Sequence, residues 1–167
     1  TDYTEAGVAI VINSDLNNYI WDIYPVSDRL IAITLGYSIP ISIVCTYIPT
    51  STADMEDKEK AYKSLKNTQT KLQKKGPTFT MGDFNARVQK AQTNAERKCI
   101  GTHTFNPTHI PLNNQLEGVV ENRNYFISHC NATDTIAVNA FFQKQENKKP
   151  TSRHCETTHG PPWTRAA

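Results

Sequence analysis

Two short polar motifs lie where strands are predicted to end, and they carry the residues best suited to chemistry. Gly82-Asp83-Phe84-Asn85 follows a short apolar run, and Tyr47-Ile48-Pro49 ends a longer one. In an extended chain Asp83 and Asn85 point to one side, and the phenylalanine between them points to the core. A carboxylate beside a carboxamide can orient a water molecule and hold a phosphate or a hard cation such as Mg²⁺. The phenol of Tyr47 can donate a hydrogen bond to a phosphate oxygen.

Each motif also has a purely structural interpretation. Asp83 and Asn85 are common in Asx turns, which close a loop after a strand and have no chemical role. Tyr47 is equally consistent with an ordinary aromatic residue at the rim of a core. On either motif alone the structural interpretation is favoured, so the chemical one requires that the fold bring the two motifs together.

The sequence lacks the signatures of several other enzyme classes. It contains no Gly-x-Gly-x-x-Gly, no phosphate-binding loop ending in Gly-Lys-Ser/Thr, no Gly-x-Ser-x-Gly and no His-Glu-x-x-His. It therefore gives no support to a nucleotide cofactor or to serine hydrolysis. Cys155 and His159 lack the second pair of ligands that a structural zinc site needs.

Length and composition favour one soluble domain over residues 1–167, with a net charge of +2. Polar residues interrupt every apolar run well before the roughly 18 residues of a membrane span, so we expect no membrane segment. Residues 1–85 carry 8 basic and 10 acidic side chains and residues 86–167 carry 10 and 6, which permits a polyanionic partner without requiring one. The four cysteines form no Cys-x-x-Cys pair, so we expect reduced thiols and an intracellular protein.

The elements that must position the two motifs begin with three predicted strands. Gly7–Ile12, Asp28–Leu35 and Ile39–Ile48 are rich in β-branched residues and end at turn-forming residues. Their close spacing favours hairpins in an antiparallel sheet. We expect Gly7–Ile12 to be heavily buried and Cys45 to be a small buried core residue.

A helix of about five turns is predicted between the two motifs. Acidic residues crowd its start after Asp54 and lysines crowd its end before Gly76-Pro77, in agreement with the helix dipole. Tyr62, Leu65 and Leu72 fall on one apolar stripe. The charged faces of this helix are predicted to be solvated.

The second half of the chain is predicted to begin with a short strand over Pro77–Met81, which leads directly into Gly82. Residues 86–118 are polar and are predicted to form a loop. A second helix is predicted from about Val119 to Cys130, and a last strand from Ile136 to Phe142.

Nine segments, spread over nearly the whole chain, together resemble one family. They are Gly7–Ile12, Asp28–Ile31, Thr46–Pro49, Met81–Arg87, Gly101–Asn106, Glu121–Phe126, Asn139–Phe142, Lys149–His154 and Pro161–Thr164. In this order they resemble the endonuclease/exonuclease/phosphatase superfamily, and most of all the endonuclease domains of LINE-type retrotransposons and the craniofacial development protein 2-like sequences. The placement of Gly-Asp-Phe-Asn after Tyr-x-Pro and a helix makes the combination specific.

The resemblance implies a four-layer αββα sandwich, in which two mixed, mainly antiparallel sheets pack face to face between helices. It implies metal-dependent phosphodiester hydrolysis with Mg²⁺ or Mn²⁺. The implied enzyme is an endonuclease of retroelement origin that cuts DNA, and the implied localisation is nuclear. Asp83 would orient and activate the attacking water, and Asn85 would help to hold the phosphate. Both would serve as metal ligands, Tyr47 would contact the scissile phosphate, and Arg153 and Trp163 would contact the substrate.

The sequence departs from the family pattern at both ends. The family places an Asn and a metal-binding Glu on strands before the segment that starts at Gly7, and a Ser-Asp-His element after the segment that ends near Trp163; neither is matched. The expectation is an internal piece of the domain, without its first strands and its last one, with weak activity or none. One alternative is a non-catalytic remnant or interaction module that keeps the sandwich. Among enzymes, a phosphomonoesterase of inositol lipids or a sphingomyelinase is the rival.

Overall fold

One four-stranded sheet organises the part of the chain that the computed structural model describes, residues 7–104 and 115–145. Its strands lie in the order of the sequence: β1 (Ile20–Ser27), β2 (Leu30–Leu35), β3 (Ile41–Tyr47) and β4 (Thr78–Asp83). The first three strands pair antiparallel, whereas β4 pairs parallel to β3. The fold is therefore mixed α+β, and a second sheet is not found within these residues.

Three α-helices follow the first three strands. Their bounds are α1 (Met55–Gln73), α2 (Asn94–Cys99) and α3 (Glu117–Thr133). Helix α1 is the crossover that a parallel pair requires, and it confirms the predicted helix of about five turns. Short 3₁₀ turns cover Ser14–Tyr19 and Val138–Ala140. None of the described helices is both long enough and apolar enough to cross a lipid bilayer.

The core lies between one face of the sheet and the helices. Ala32 and Val44 form its sheet side, and both are fully buried. The predicted stripe of α1 is confirmed, because Tyr62, Leu65 and Leu72 all belong to the buried cluster. Helix α3 completes the cluster and packs against α1.

The opposite face of the sheet, called here the outer face, is apolar; it is exposed on β1 and β4 and buried at Ile33 of β2. Ile23, Phe79 and Met81 lie on it with 59%, 55% and 50% of their surface accessible. They share this face with Ile33 and Ile43, to which they are linked through the strand register.

The first strand of the sheet is not the predicted one. Gly7–Ile12 has irregular backbone, and the expectation of heavy burial is wrong because Val11 is 94% exposed. The strand that pairs with β2 is instead β1, which the sequence pattern did not indicate. Asp22 and Pro25 interrupt its pattern, and both are tolerated because β1 is an edge strand with two irregularities in its pairing.

Three further predictions also need correction. The predicted strand at Ile136–Phe142 is absent, and only one bridge, between Ile100 and Ala137, forms beside a 3₁₀ turn. The predicted loop over residues 86–118 contains helix α2, whose start was encoded by Thr93. Cys45 is half-buried because it lies on the outer face, in register with Met81.

Candidate active site

The parallel register of β3 and β4 brings the two polar motifs together. Tyr47 and Asp83 are the last Cα partners of this pairing, so both side chains emerge at the same end of the outer face. The backbone N–H of Ile48 donates to the carbonyl of Asp83 at 2.9 Å, which continues the pairing beyond the strands. Tyr47 and Asp83 are both exposed. The convergence expected from the sequence is therefore present for these two residues, while their chemical roles remain predictions.

Glycine is required immediately before Asp83. Gly82 has a φ of +137°, which L side chains rarely adopt, and an ideal Cβ there would lie 1.8 Å from the carbonyl oxygen of Thr46. This close approach allows β4 to pair with β3 up to its last residue. Gly82 therefore fixes the position from which the Asp83 carboxylate projects.

The Asp83 carboxylate forms the Asx turn that the structural interpretation predicted. The backbone N–H of Asn85 donates to Oδ1 of Asp83 at 2.8 Å. The structural interpretation of this motif is therefore confirmed, and the residue is nevertheless exposed. Within the described residues, Oδ2 of Asp83 has no hydrogen-bond partner. The turn thus occupies one oxygen and leaves the other available to a ligand or a water molecule.

Asn85 has left-handed backbone, with a φ of +47°, a conformation that asparagine tolerates better than most residues. Its side-chain Nδ2 donates to the carbonyl of Ile48 at 2.7 Å. One N–H of the carboxamide therefore has a structural role, and the oxygen Oδ1 accepts no hydrogen bond among the described residues. Phe84 packs edge-on against Phe126 at a ring distance of 5.1 Å, which confirms its predicted core position.

Side chains fasten the loop that follows Tyr47. Three of its carbonyls accept side-chain hydrogen bonds: Ile48 from Asn85, Pro49 from Asn122 and Ser51 from Lys58. The donors come from the loop after β4 and from two helices, so this end of the sheet is linked to both major helices. A loop whose carbonyls are bonded in this way is held in one conformation.

Lys58 is also buried, with a side chain that is 2% exposed, so the expectation that the charged faces of α1 are solvated is wrong for this residue. Its ammonium group forms an ion pair with Glu121 and donates to Ser51 at 3.1 Å. Gly118 lies against the same loop, since an ideal Cβ on it would be 2.1 Å from the Ser51 carbonyl oxygen. The first turn of α3 therefore packs tightly behind the candidate site.

Arg29 brings a positive charge to the site, and the sequence reasoning missed this residue. Its guanidinium carbon lies 5.6 Å from the centre of the Tyr47 ring, and its carbonyl accepts a hydrogen bond from the Tyr47 N–H at 2.9 Å. Arg29 occupies the tight turn between β1 and β2. The predicted hairpin of β2 and β3 could have indicated it. In the observed register Leu30 pairs with Thr46, so Arg29 is placed beside Tyr47.

Two side-chain oxygens of the site accept no hydrogen bond among the described residues. Oδ2 of Asp83 and Oδ1 of Asn85 are the protein oxygens available, and Mg²⁺ is commonly held by only one or two carboxylates. Within residues 7–104 and 115–145, no group of three His, Cys, Asp or Glu side chains could hold a metal ion. The predicted substrate contacts Arg153 and Trp163 lie outside the described residues.

Comparisons with protein-family models, with curated proteins and with solved structures find no match to this chain. The proposed function therefore rests on the residues of this chain, on the resemblance of their order to a family pattern and on the geometry that brings them together.

Proposed function

We propose that this chain carries part of the active site of a metal-dependent phosphodiesterase, and that its substrate is the DNA backbone, as in an endonuclease of retroelement origin. The observation that carries the proposal is the register pairing of Tyr47 with Asp83 at one end of the sheet, with Asn85 two residues further on. This is the order of residues that the sequence likeness requires. The basic charge excess of residues 86–167 is compatible with a polyanionic substrate.

Each side chain has a distinct role in the proposed reaction. The carboxylate of Asp83, through its free oxygen Oδ2, accepts a hydrogen bond from the attacking water and orients it toward phosphorus. The Tyr47 hydroxyl donates to a non-bridging phosphate oxygen, and the charge of Arg29 favours binding of the anion beside it. Asp83 and Asn85 would hold Mg²⁺ or Mn²⁺, which when bound supplies positive charge that offsets the charge on the phosphate.

The proposed fold extends what the described residues contain. An apolar sheet face is normally buried against another layer, and two stacked sheets are one of the few stable arrangements. The outer face, with Phe79 and Met81 half exposed, has the composition of such an inner layer. We therefore propose that a second sheet packs on it, which would place Tyr47 and Asp83 at the rim between two sheets.

A plasmid-nicking assay tests the proposal. Because the chain is expected to be at most weakly active, the unmodified chain should convert supercoiled plasmid to the open circle slowly, with Mg²⁺ or Mn²⁺ and not with EDTA. Asp83→Asn should lower the rate about 100-fold or more, as expected for a group that acts on the attacking nucleophile. Asp15→Asn is the matched control, because it removes an exposed carboxylate from a distant 3₁₀ turn and should leave the rate unchanged. Absence of metal-dependent nicking contradicts the proposal.

The second candidate function is a non-catalytic interaction module. Two observations favour it: the carboxylate of Asp83 forms an Asx turn, and the described residues contain no three-ligand metal cluster. This candidate predicts a folded chain that lacks nicking activity and whose DNA affinity does not change in Asp83→Asn. Hydrolysis of an inositol phosphate or of sphingomyelin in place of DNA would instead indicate the rival branches of the family.

A further inference from the structure

One buried amide links the two loops that follow β3 and β4. Asn122, on α3, is 0% exposed. Its Nδ2 donates to the carbonyl of Pro49 at 3.0 Å and to the carbonyl of Asn85 at 3.1 Å. Pro49 lies two residues after Tyr47, and Asn85 is itself a proposed site residue. A single side chain therefore holds the backbone on both sides of the candidate site.

The oxygen of the same carboxamide lacks a hydrogen-bond partner among the described residues. Within the described residues, the oxygen Oδ1 of Asn122 is buried and has no hydrogen-bond partner. A buried acceptor without a partner destabilises the fold. The oxygen of Asn122 therefore does not stabilise the fold, and the contribution of this side chain lies in the two hydrogen bonds that its nitrogen donates. Residues that sacrifice stability in this manner concentrate at functional sites.

The two carbonyls that Asn122 holds belong to backbone that would otherwise relax. Asn85 is in the left-handed region and is fixed on its amide side by Asp83 and through its side chain by Ile48. Its carbonyl is fixed by Asn122. Without that bond, the turn that carries the Asp83 and Asn85 oxygens is free on one side.

We propose that Asn122 is a positioning residue for the site formed by Tyr47, Asp83 and Asn85. It keeps the loops after β3 and β4 in register, so that the phenol, the carboxylate and the carboxamide face one phosphate. It contacts neither substrate nor metal. The catalytic part of this inference depends on the proposed function, whereas the holding of the two loops does not.

Two variants and one matched control test the proposal. Asn122→Ala removes both bonds, and Asn122→Ser, which retains a donor, serves if the alanine variant does not fold. Asn124→Ala changes the same residue type on the same helix at an exposed position. The measurements are amide hydrogen exchange at Ile48 and Asn85, exchange in the β2–β3 ladder, and the kcat and KM of nicking.

The positioning role predicts a local effect. In Asn122→Ala, amide exchange at Ile48 and Asn85 should accelerate about tenfold or more, because the hydrogen bonds of these amides to Asp83 open locally. Exchange in the β2–β3 ladder of this variant should not change. In Asn124→Ala, all of these amides should exchange at the rates of the unmodified chain. The kcat of nicking should fall about 100-fold with KM nearly constant, as expected when bound groups are misplaced. Unchanged exchange at both amides, or equal acceleration throughout the sheet, would overturn the proposal. If the unmodified chain does not nick DNA, the proposed function fails, and the exchange measurements still decide whether Asn122 holds the loops.

Discussion

The carbonyl oxygen of Thr46 lies where the side chain of Gly82 would begin, 1.8 Å from an ideal Cβ. The two residues are register partners in the parallel pair of β3 and β4, one step before Tyr47 and Asp83. The contact therefore sets the distance between the strands at the position where the candidate site starts. Any side chain at Gly82 must push the two strand ends apart.

Gly82→Ala should consequently destabilise the fold and separate the strand ends. The positive φ and the backbone contact both oppose a Cβ, so we expect a loss of about 2 kcal/mol or more in the free energy of unfolding. Urea unfolding measures it. Gly7→Ala is the control, because nothing lies within 4 Å of a Cβ there, and it should change stability by less than about 0.5 kcal/mol. Equal stability of the two variants would contradict the contact.

Local sequence signals predicted the elements that are also locally determined. The hairpin of β2 and β3, helix α1 and the strand before Gly82 follow from β-branched runs, charge placement at helix ends and a Gly-Pro stop. Strand β1 was missed because its polar residues and Pro25 break the alternation, and only its pairing with β2 makes it a strand. Gly7–Ile12 has a strand-like composition, yet composition alone provides no partner for its backbone.

The same division applies to the candidate site. Asp83, Asn85 and Tyr47 were identified because each stands at a strand end marked by glycine or proline. Arg29 and Asn122 were not identified, because their closeness to the site arises from strand register and from a contact spanning 37 residues of sequence. The left-handed backbone of Asn85 was also not predicted from the sequence, since it depends on hydrogen bonds from separate parts of the chain.

A buried ion pair should be essential for the attachment of α2 to α3. Arg123 has a side chain that is 2% exposed and donates to both carboxylate oxygens of Glu96, at 3.2 and 2.7 Å. The guanidinium lowers the pKa of Glu96. Arg123→Ala should reduce the free energy of unfolding by about 3–5 kcal/mol, because it leaves a partly buried carboxylate without its partner. Urea unfolding measures the loss.

Arg97 provides the comparison for this prediction. It is exposed on α2, and among the described residues its side chain bonds only to that of Asn94, so Arg97→Ala should stay within about 0.5 kcal/mol of the unmodified chain. Losses of similar size in the two arginine variants would show that the buried pair has no special role.

His129 should make the fold sensitive to mild acid. Burial lowers the pKa of His129 from 6.5 to about 4, with a smaller contribution from Lys66. Its Nε2 lies 2.9 Å from Oε1 of Gln69, which also accepts from the Thr80 hydroxyl, so Nε2 carries a proton and donates it to Gln69. Because the unfolded chain binds the proton more readily, stability should fall as the pH drops from about 6.5 to about 4. The loss is on the order of 3 kcal/mol at most.

The pH dependence can be assigned by substitution. Urea midpoints measured between pH 7 and pH 4 should show a shallower decline in His129→Gln than in the unmodified chain. His103→Gln removes a histidine that lies outside the helices and should keep the original slope. A slope that survives in His129→Gln would assign the acid sensitivity to other groups.

Arg29 should contribute to DNA affinity through charge rather than through base recognition. Its guanidinium lies against the Tyr47 ring at the exposed end of the sheet, where the phosphate is proposed to bind. Arg29→Ala should weaken binding to unrelated duplexes about equally, and the slope of log K against log salt should become shallower by about one. Arg29→Lys should keep most of that slope, because it retains the charge.

Lys63→Ala removes an exposed charge from α1, on the other side of the sheet, and should leave both affinity and slope unchanged. If Lys63→Ala and Arg29→Ala change the slope equally, the DNA does not bind at the Tyr47 end of the sheet.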